Sequence, residues 1–487
     1  MPTWSPRCLP PCRPKAGPEV SAAALAELDR ALGEGRLLHD DATLALYSSD
    51  ETPRCITPLG VVFPTSHEQV VALVSIARTH RLPLVARGAG SGNVGGALPV
   101  AGGLVVSFEC MNKILEFNPL DRLMRVEPGV VTQDIDQLAR SEGLFYPPDP
   151  GSSPYCRIGG NLAMNAAGPR AVKYGTTRDY VLGLKAVSGD GRTLTTGCRT
   201  TKGVTGYDLT RLLVGSEGTL ALITEATLKL LPAPEARHAL RAAYADNGAA
   251  TAAVLRIMQQ SILPCALEFM DRHSLEAIRP TGAADDLPTG TAALLMVEVD
   301  GPAADLPRQA AAMTQALQGR GLLELRAGTD PASTQRLWAA RKSLSHAVKR
   351  FAPLKINEDV VVPVSKLPEF VEFLDGLATR FRLPIVSFGH AGNGNLHVNL
   401  MVHPDDGDEM KRAHACLQEV FAKVLGLGGT LSGEHGIGTE KRAWLPREID
   451  PPTLAMMRAI KARFDPDQLL NPGKIFPDEI PAGALQA

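Results

Sequence analysis

Leu82-Pro-Leu-Val-Ala-Arg87-Gly-Ala-Gly-Ser-Gly-Asn-Val-Gly-Gly-Ala97 is the stretch whose reading decides the fold. A short apolar run delivers the backbone to Arg87. Five glycines follow, at Gly88, Gly90, Gly92, Gly95 and Gly96. Glycine is costly in chain entropy, so this density points to backbone pressed against something. Successive N–H groups beside an arginine form a nest that suits a pyrophosphate. A mobile surface loop is the plain alternative, which the apolar run and Arg87 disfavour.

The loop contains a false lead. Gly90-Ser-Gly-Asn-Val-Gly95 fits G-x-G-x-x-G, and Glu109 lies about 20 residues on, as a dinucleotide fingerprint requires. A Rossmann unit needs a crossover helix next. Here Gly96-Ala-Leu-Pro-Val-Ala-Gly-Gly103 runs straight into Leu104-Val-Val-Ser-Phe108. That is too short and too rich in glycine and proline for a crossover of about 10–12 residues. NAD binding at this loop is therefore excluded, and the nest requires another architecture.

A chain of 487 residues holds two or more domains. With 50 basic and 52 acidic residues, net charge −2, it has no nucleic-acid footprint. No apolar run reaches transmembrane length, and the proline-rich start lacks the apolar core of a secretory signal. The eight cysteines show no C-x-x-C pair or iron–sulfur spacing and read as reduced thiols of a cytoplasmic chain. Cys8 and Cys12 fall in a floppy leader over residues 1–18.

Periodicity predicts a helix at 21–32 with Ser21 as N-cap, and one at 66–78 capped by Ser66. Strands are expected at 59–63, 84–85, 104–108 and 123–127, with a helix at 132–141, which gives an α/β or α+β order. The stretch 147–184 is rich in glycine, asparagine and small residues, as where a flat ligand lies along backbone. A hairpin follows at 184–196, with Asp190-Gly191 as a type I′ turn. Pro232-Ala-Pro-Glu235 marks a boundary. Beyond it, helices at 247–260, 305–319, 331–350 and 366–380 alternate with strands at 264–269, 292–298, 322–326, 358–362 and 384–388. This predicts an antiparallel sheet with helices on one face.

Pro384 to His403 carries the sharpest chemical signal. Two apolar strands are joined by Ala391-Gly-Asn-Gly-Asn395, with His390 ending the first and His397 beginning the second. A hairpin brings both imidazoles to one end, as a metal pair requires. Gly433-Glu434-His435-Gly436 adds a carboxylate and a third histidine. Two histidines and a glutamate form an open metal constellation with room for substrate oxygens. Asn399, two residues after His397, faces the same side of the strand. Arg341 and Lys355 are candidates for an anionic substrate. His403 reads as a surface residue. His39, His67, His80, His238, His273, His346 and His414 read as structural.

Arg87-Gly-Ala-Gly-Ser, Pro147-Pro-Asp-Pro, Ile158-Gly-Gly-Asn, Lys173-Tyr-Gly, Gly215-Ser-Glu-Gly-Thr-Leu, His390-x6-His397, Gly433-Glu-His-Gly and Leu470-Asn-Pro-Gly-Lys occur in that order. Together they resemble the FAD-linked oxidases of the vanillyl-alcohol oxidase superfamily. Within it, the match is to the D-lactate dehydrogenase, D-2-hydroxyglutarate dehydrogenase and glycolate oxidase flavin-subunit group. The resemblance implies an α+β fold: a vanillyl-alcohol-oxidase-type FAD-binding domain with an inserted antiparallel-sheet cap. The expected parts are a leader and N-terminal helix at 1–35, the FAD domain at 36–235 and the cap at 236–440. A segment at 441–487 returns to the FAD domain.

The resemblance also assigns roles. Arg87, Gly88, Ala89, Gly90, Ser91, Gly92 and Asn93 would cradle the FAD pyrophosphate. Pro147, Gly151, Ser152, Gly159, Gly160, Asn161, Asn165, Gly168 and Gly175 would line the cofactor, with Glu217, Gly218, Ile223 and Asn471. His390, His397 and Glu434 match ligands of a divalent metal, zinc or manganese. His435 matches the base, and Arg341 the grip on the substrate carboxylate, with Lys355 and Asn399 as helpers. Four positions depart from the pattern. Ser91 stands where histidine-linked members carry their histidine, so FAD is expected to be non-covalent. Ala221 replaces a usual glycine. Asn393 replaces a usual aspartate, which bears on metal affinity. Ser345 replaces a threonine of hydroxyglutarate-active members, which favours a smaller substrate.

The expected activity is oxidation of a D-2-hydroxy acid, D-lactate first, by hydride transfer to flavin N5. Electrons would pass to a quinone, a cytochrome or an electron-transfer protein, at the cytoplasmic side and peripheral to the membrane, by a homodimer. The alternatives are a glycolate oxidase flavin subunit, a D-2-hydroxyglutarate dehydrogenase and a non-enzymatic flavin scaffold.

Overall fold

The computed structural model describes residues 21–328 and 330–478. The readings made on residues 1–20, and on the side chains of Ser345 and His346, lie outside what is described. The first helix runs Ala22–Leu32, and the Ser21 side chain accepts from the N–H of Ala24. It packs on the helix His67–His80, capped by Ser66. Leu28, Leu32, Val70, Leu73 and Val74 fill their interface.

Four strands lie beside this pair, in the order Leu37–Leu38, Gly60–Val62, Leu104–Ser107, Leu84–Arg87. Leu84–Arg87 and Leu104–Ser107 are parallel neighbours. Their connection, residues 88–103, contains no helix. The exclusion of a Rossmann unit therefore stands, although the strands are parallel. The whole glycine loop serves as the crossover, wrapping the sheet end where a helix would have stood.

A second sheet of five antiparallel strands has the order Ile114–Asn118, Leu123–Val126, Ala221–Lys229, Val181–Ser188, Thr193–Gly197. Its hairpin differs from expectation. Gly191 has φ +83°, but Asp190 is not in the left-handed region. The Gly191 N–H donates to Ser188 O. The turn therefore spans Ser188–Gly191 and closes on one left-handed glycine, where a type I′ turn would need two such residues. The Asp190 carboxylate accepts from Ser188 Oγ and Arg192 Nε, which holds the longer loop in shape.

The third sheet has seven strands, all antiparallel: Leu322–Gly328, Ala236–Tyr244, Ala293–Gly301, Ala266–Met270, Ile385–His390, Asn395–Val402 and Leu354–Val361. Its helices occupy both faces, which corrects the one-face expectation. Helices Asn247–Met258, Leu306–Leu317, Leu367–Phe381 and Gly407–Gly426 cover one face. Arg272–Ile278 and Pro331–Ala347 cover the other. The reason lies in the central strands. Ala266–Met270 and Asn395–Val402 are buried at every position, so each face needs cover. The strand Leu354–Val361 also starts earlier than predicted and takes in Lys355.

The chain end returns to the first sheet. Leu84 N–H donates to Leu469 O at 2.8 Å, and Asn471 N–H donates to Leu84 O at 2.7 Å. Buried Lys461 donates to Thr219 O and Leu470 O, joining the last helix, Pro451–Phe464, to the five-stranded sheet. The large sheet is strapped to the rest by Lys173 Nζ, 2.5 Å from Asp300 Oδ1, and by Tyr174 OH, 2.9 Å from Asp300 Oδ2. Among the described residues, Cys110, Cys156, Cys198, Cys265 and Cys416 are free thiols. Cys55 is disulfide-bonded, against the reading of all eight as reduced. No helix among the described residues is long and apolar enough to cross a membrane.

Candidate active site

Strand register assembles the centre. Glu268 pairs with His390, Phe388 with His397, and His397 with Asp359. Four polar side chains thus form a row across adjacent strands of an otherwise apolar sheet. His390 Nε2 lies 3.5 Å from Glu434 Oε1, and His397 Nε2 lies 3.6 Å from the same oxygen. Ligand atoms about 2.1 Å from a shared tetrahedral ion stand about 3.4 Å apart, so these three donors fit a cation. Burial drives the His397 pKa down to about 3, which leaves a neutral ring with a lone pair to offer. Burial raises the Glu434 carboxyl, but His390 and His397 outweigh it and keep it ionised.

Behind His390 stands Glu268, a residue no motif had marked. Its Oε1 is 2.5 Å from His390 Nδ1, and its Oε2 accepts from Arg341 Nε at 2.8 Å. Burial pushes the Glu268 carboxyl up, but His390 and Arg341 hold it at about 2. Asn393 is exposed at the end of the turn Ala391–Asn393. The carboxylate beside the histidines is therefore Glu268, and the aspartate that Asn393 replaces would not lie against them.

Ser432–Thr439 carries Glu434 and His435 and is pinned through its backbone at three points. Asp359 Oδ2 accepts from the N–H groups of Gly433, Glu434 and His435 at 3.0, 2.7 and 2.8 Å. Glu217 accepts from Ile437 and Gly438 at 2.7 and 2.8 Å. Thr439 N–H donates to Val94 O at 2.8 Å. Three donors on one carboxylate oxygen form an anion nest occupied by the protein itself. Asp359, His397 and His435 also lie close enough to suggest a second cation set. Asp359 is already committed, since its other oxygen accepts from Asn395 Nδ2 at 2.6 Å. Its carboxylate therefore builds the loop.

The remaining predicted residues fall around this centre. The His435 ring stacks on His397 at 5.3 Å and 16°. Arg341 lies over the Phe388 ring at 4.8 Å. Asn399 is fully buried. Its Nδ2 donates to Val386 O and His397 O, and its Oδ1 has no partner. Lys355 shares its strand face with Asn357 and Asp359.

The glycine loop is built as a cradle. A Cβ added at Gly92, Gly151 or Gly160 would meet no atom within 4 Å, so these backbones face open space where a flat ligand can lie. Other predicted cofactor residues are engaged within the protein. Arg87 is buried under its own loop, with Nη1 donating to Ser49 O at 2.8 Å. Its guanidinium occupies the place a Gly90 Cβ would take. Asn161 donates to Thr132, Asn165 accepts from Thr176 and Arg178, and Asn471 donates to the Gly96 and Glu217 carbonyls. Gly159 and Gly168 sit tight against Pro128 and Asp149, and Gly175 against Asp179. Gly218 packs near Ala86, and Ile223 lies in the strand Ala221–Lys229. These residues shape the cradle from behind.

Gly90→Ala tests the loop. Gly90 has φ +72°, and the added Cβ would overlap Arg87. Left-handed strain and the clash are expected to cost about 1–3 kcal/mol. The purified variant should melt lower and carry less flavin. An unchanged melt and flavin content would show that the loop repacks freely.

Sequence reasoning missed Glu268 and Asp359. Each left a faint signal, a carboxylate within an apolar strand: Ala266-Leu-Glu-Phe-Met270 and Glu358-Asp-Val-Val-Val362. Buried carboxylates need partners, and these partners lie far away in sequence.

Two family models match the chain: "FAD binding domain" over residues 58–197 and "FAD linked oxidases, C-terminal domain" over residues 233–475. A glycolate oxidase subunit of Bacillus subtilis is 40% identical over 432 residues, 88% of this chain and 92% of its own. A D-lactate dehydrogenase of Anaerostipes hadrus is 36% identical, covering 86% and 89%. A D-2-hydroxyglutarate dehydrogenase of Stutzerimonas stutzeri is also 36% identical, covering 93% and 99%. Among solved structures, p-cresol methylhydroxylase with substrate bound shares the fold at TM-score 0.76 and 18% identity, covering 94% of this chain and 96% of that one.

Proposed function

We propose that this chain, which belongs to the FAD-linked oxidase family, oxidises a D-2-hydroxy acid to the 2-oxo acid, with D-lactate the first substrate to test. The observation that carries the reading is the convergence of His390, His397, Glu434 and His435 on a loop bonded directly to the flavin cradle.

Bound FAD supplies the hydride acceptor, its N5. A divalent cation, zinc or manganese, held by His390, His397 and Glu434 would polarise the substrate hydroxyl. Arg341 grips the substrate carboxylate with its guanidinium fork, and Lys355 and Asn399 assist on the adjoining strands. Oδ1 of Asn399, an acceptor, suits a substrate hydroxyl. His435 takes the hydroxyl proton at Nε2, the ring nitrogen 4.0 Å from Glu434 Oε1. FAD is held non-covalently, since the glycine loop carries Ser91 and no histidine. The electrons leave to a quinone, a cytochrome or an electron-transfer protein on the cytoplasmic side.

A dye-reduction screen over D- and L-2-hydroxy acids, with and without chelator, tests this. Reduction with D-lactate and related D-acids is expected, and it should be lost with chelator. Purified protein without a flavin spectrum, or flavoprotein that reduces dye with no 2-hydroxy acid, would overturn it. The second reading, a subunit of a glycolate-oxidising complex, is favoured by the Bacillus subtilis relative. A stable single chain fully active in dye reduction would count against that.

A further inference from the structure

We propose that Glu268 is a positioning residue that fixes the substrate-carboxylate grip and the cation ligands relative to each other. The proposal rests on the reading of Arg341 and of the His390, His397 and Glu434 set given above.

Glu268 is fully buried in the middle of a strand whose other members, Ala266, Leu267, Phe269 and Met270, are apolar. A carboxylate placed there is retained only if strong donors meet it. Two do, and they come from different elements. His390 ends the neighbouring strand and faces Oε1 because register sets it opposite Glu268. Arg341 comes from the helix Pro331–Ala347, which covers this face of the sheet, and faces Oε2.

Each contact orients a different half of the chemistry. A proton held on His390 Nδ1 by Oε1 directs Nε2, with its lone pair, toward Glu434. Binding Arg341 through Nε leaves Nη1 and Nη2 as the fork for a second carboxylate. The Phe388 ring beneath the guanidinium limits its remaining freedom. A 2-hydroxy acid carries its carboxylate one bond from the hydroxyl carbon. Its two anchoring points must therefore be set at a fixed short separation, and one rigid buried carboxylate between them does this.

Glutamine is the informative replacement. It matches glutamate in shape but offers one acceptor oxygen and one donor NH2, while both partners are donors. Glu268→Gln can satisfy His390 or Arg341, but not both. The experiment compares FAD-loaded wild type, Glu268→Gln and Glu268→Asp. Zinc and manganese affinity is measured by calorimetric titration of chelator-treated protein, and steady-state kinetics use D-lactate. Glu268→Gln is expected to bind the metal about 10–100-fold more weakly or to raise KM about tenfold or more, with flavin content unchanged. Glu268→Asp, which keeps the charge on a shorter arm, is expected to recover part of the loss. Equal metal affinity and equal KM in Glu268→Gln would overturn the proposal. So would loss of flavin in both variants, which would assign Glu268 a purely structural role. Wild type that binds neither metal removes the cation reading itself, and with it this proposal; a wild type that binds metal isolates the result to Glu268.

Discussion

His435→Ala should lower kcat about 10²–10⁴-fold, the range a positioned general base contributes, while flavin content stays at the wild-type level. The variant is unusually clean for structural reasons. The loop that carries His435 is held by Asp359, Glu217 and the Val94 carbonyl, and all three bind its backbone N–H groups. Replacing the imidazole leaves every one of these bonds available. The lost side-chain contact is the stack on His397, and His435 Nδ1 makes no hydrogen bond. A fall in kcat with little change in KM would identify a group acting in the transition state. Turnover unchanged in the variant would remove His435 from the chemistry.

Removal of the cation is the second large effect. Chelator treatment should reduce turnover by about 10³-fold, the several kcal/mol that a Lewis acid supplies, and added zinc or manganese should restore it. His397→Ala should be equally inactive and should not recover with added metal. His397 is a better ligand to remove than His390. Its Nδ1 has no hydrogen-bond partner, whereas His390 Nδ1 is matched to Glu268, and its loss would leave a buried carboxylate exposed to an unmatched site. Metal content measured beside activity separates the cases. A wild type that stays active after its metal has been stripped would show that His390, His397 and Glu434 serve another purpose.

Much of the architecture was legible in residue order. The caps Ser21 and Ser66, the helices they begin and the strand set of the large sheet all follow from local pattern and side-chain chemistry. The three cation donors were legible because each sits in a turn or at a strand end, where glycines leave little other reason for a histidine or glutamate. The sidedness of the large sheet was not legible. A strand buried on both faces shows no alternation, so the pattern could not tell whether helices cover one side or two. The hairpin at Asp190-Gly191 was misread because a two-residue signal does not reveal which flanking residues leave the ladder.

The sequence by itself determined which residues carry chemistry: the glycine loop that wraps the first sheet, the histidine pair, and Glu434-His435. The order of motifs along the chain also carried the family. Only the tertiary structure decided what holds them. Glu217 and Asn471 read as cofactor contacts, yet one clamps the catalytic loop and the other ties the chain end to the cradle. Arg87 reads as a phosphate grip and lies beneath its own loop. Glu268 and Asp359 had no motif at all. The physical reason is common to all five. A side chain's type limits what it can bind, but its partner is chosen by strand register and packing between segments up to hundreds of residues apart. Local sequence does not encode that choice.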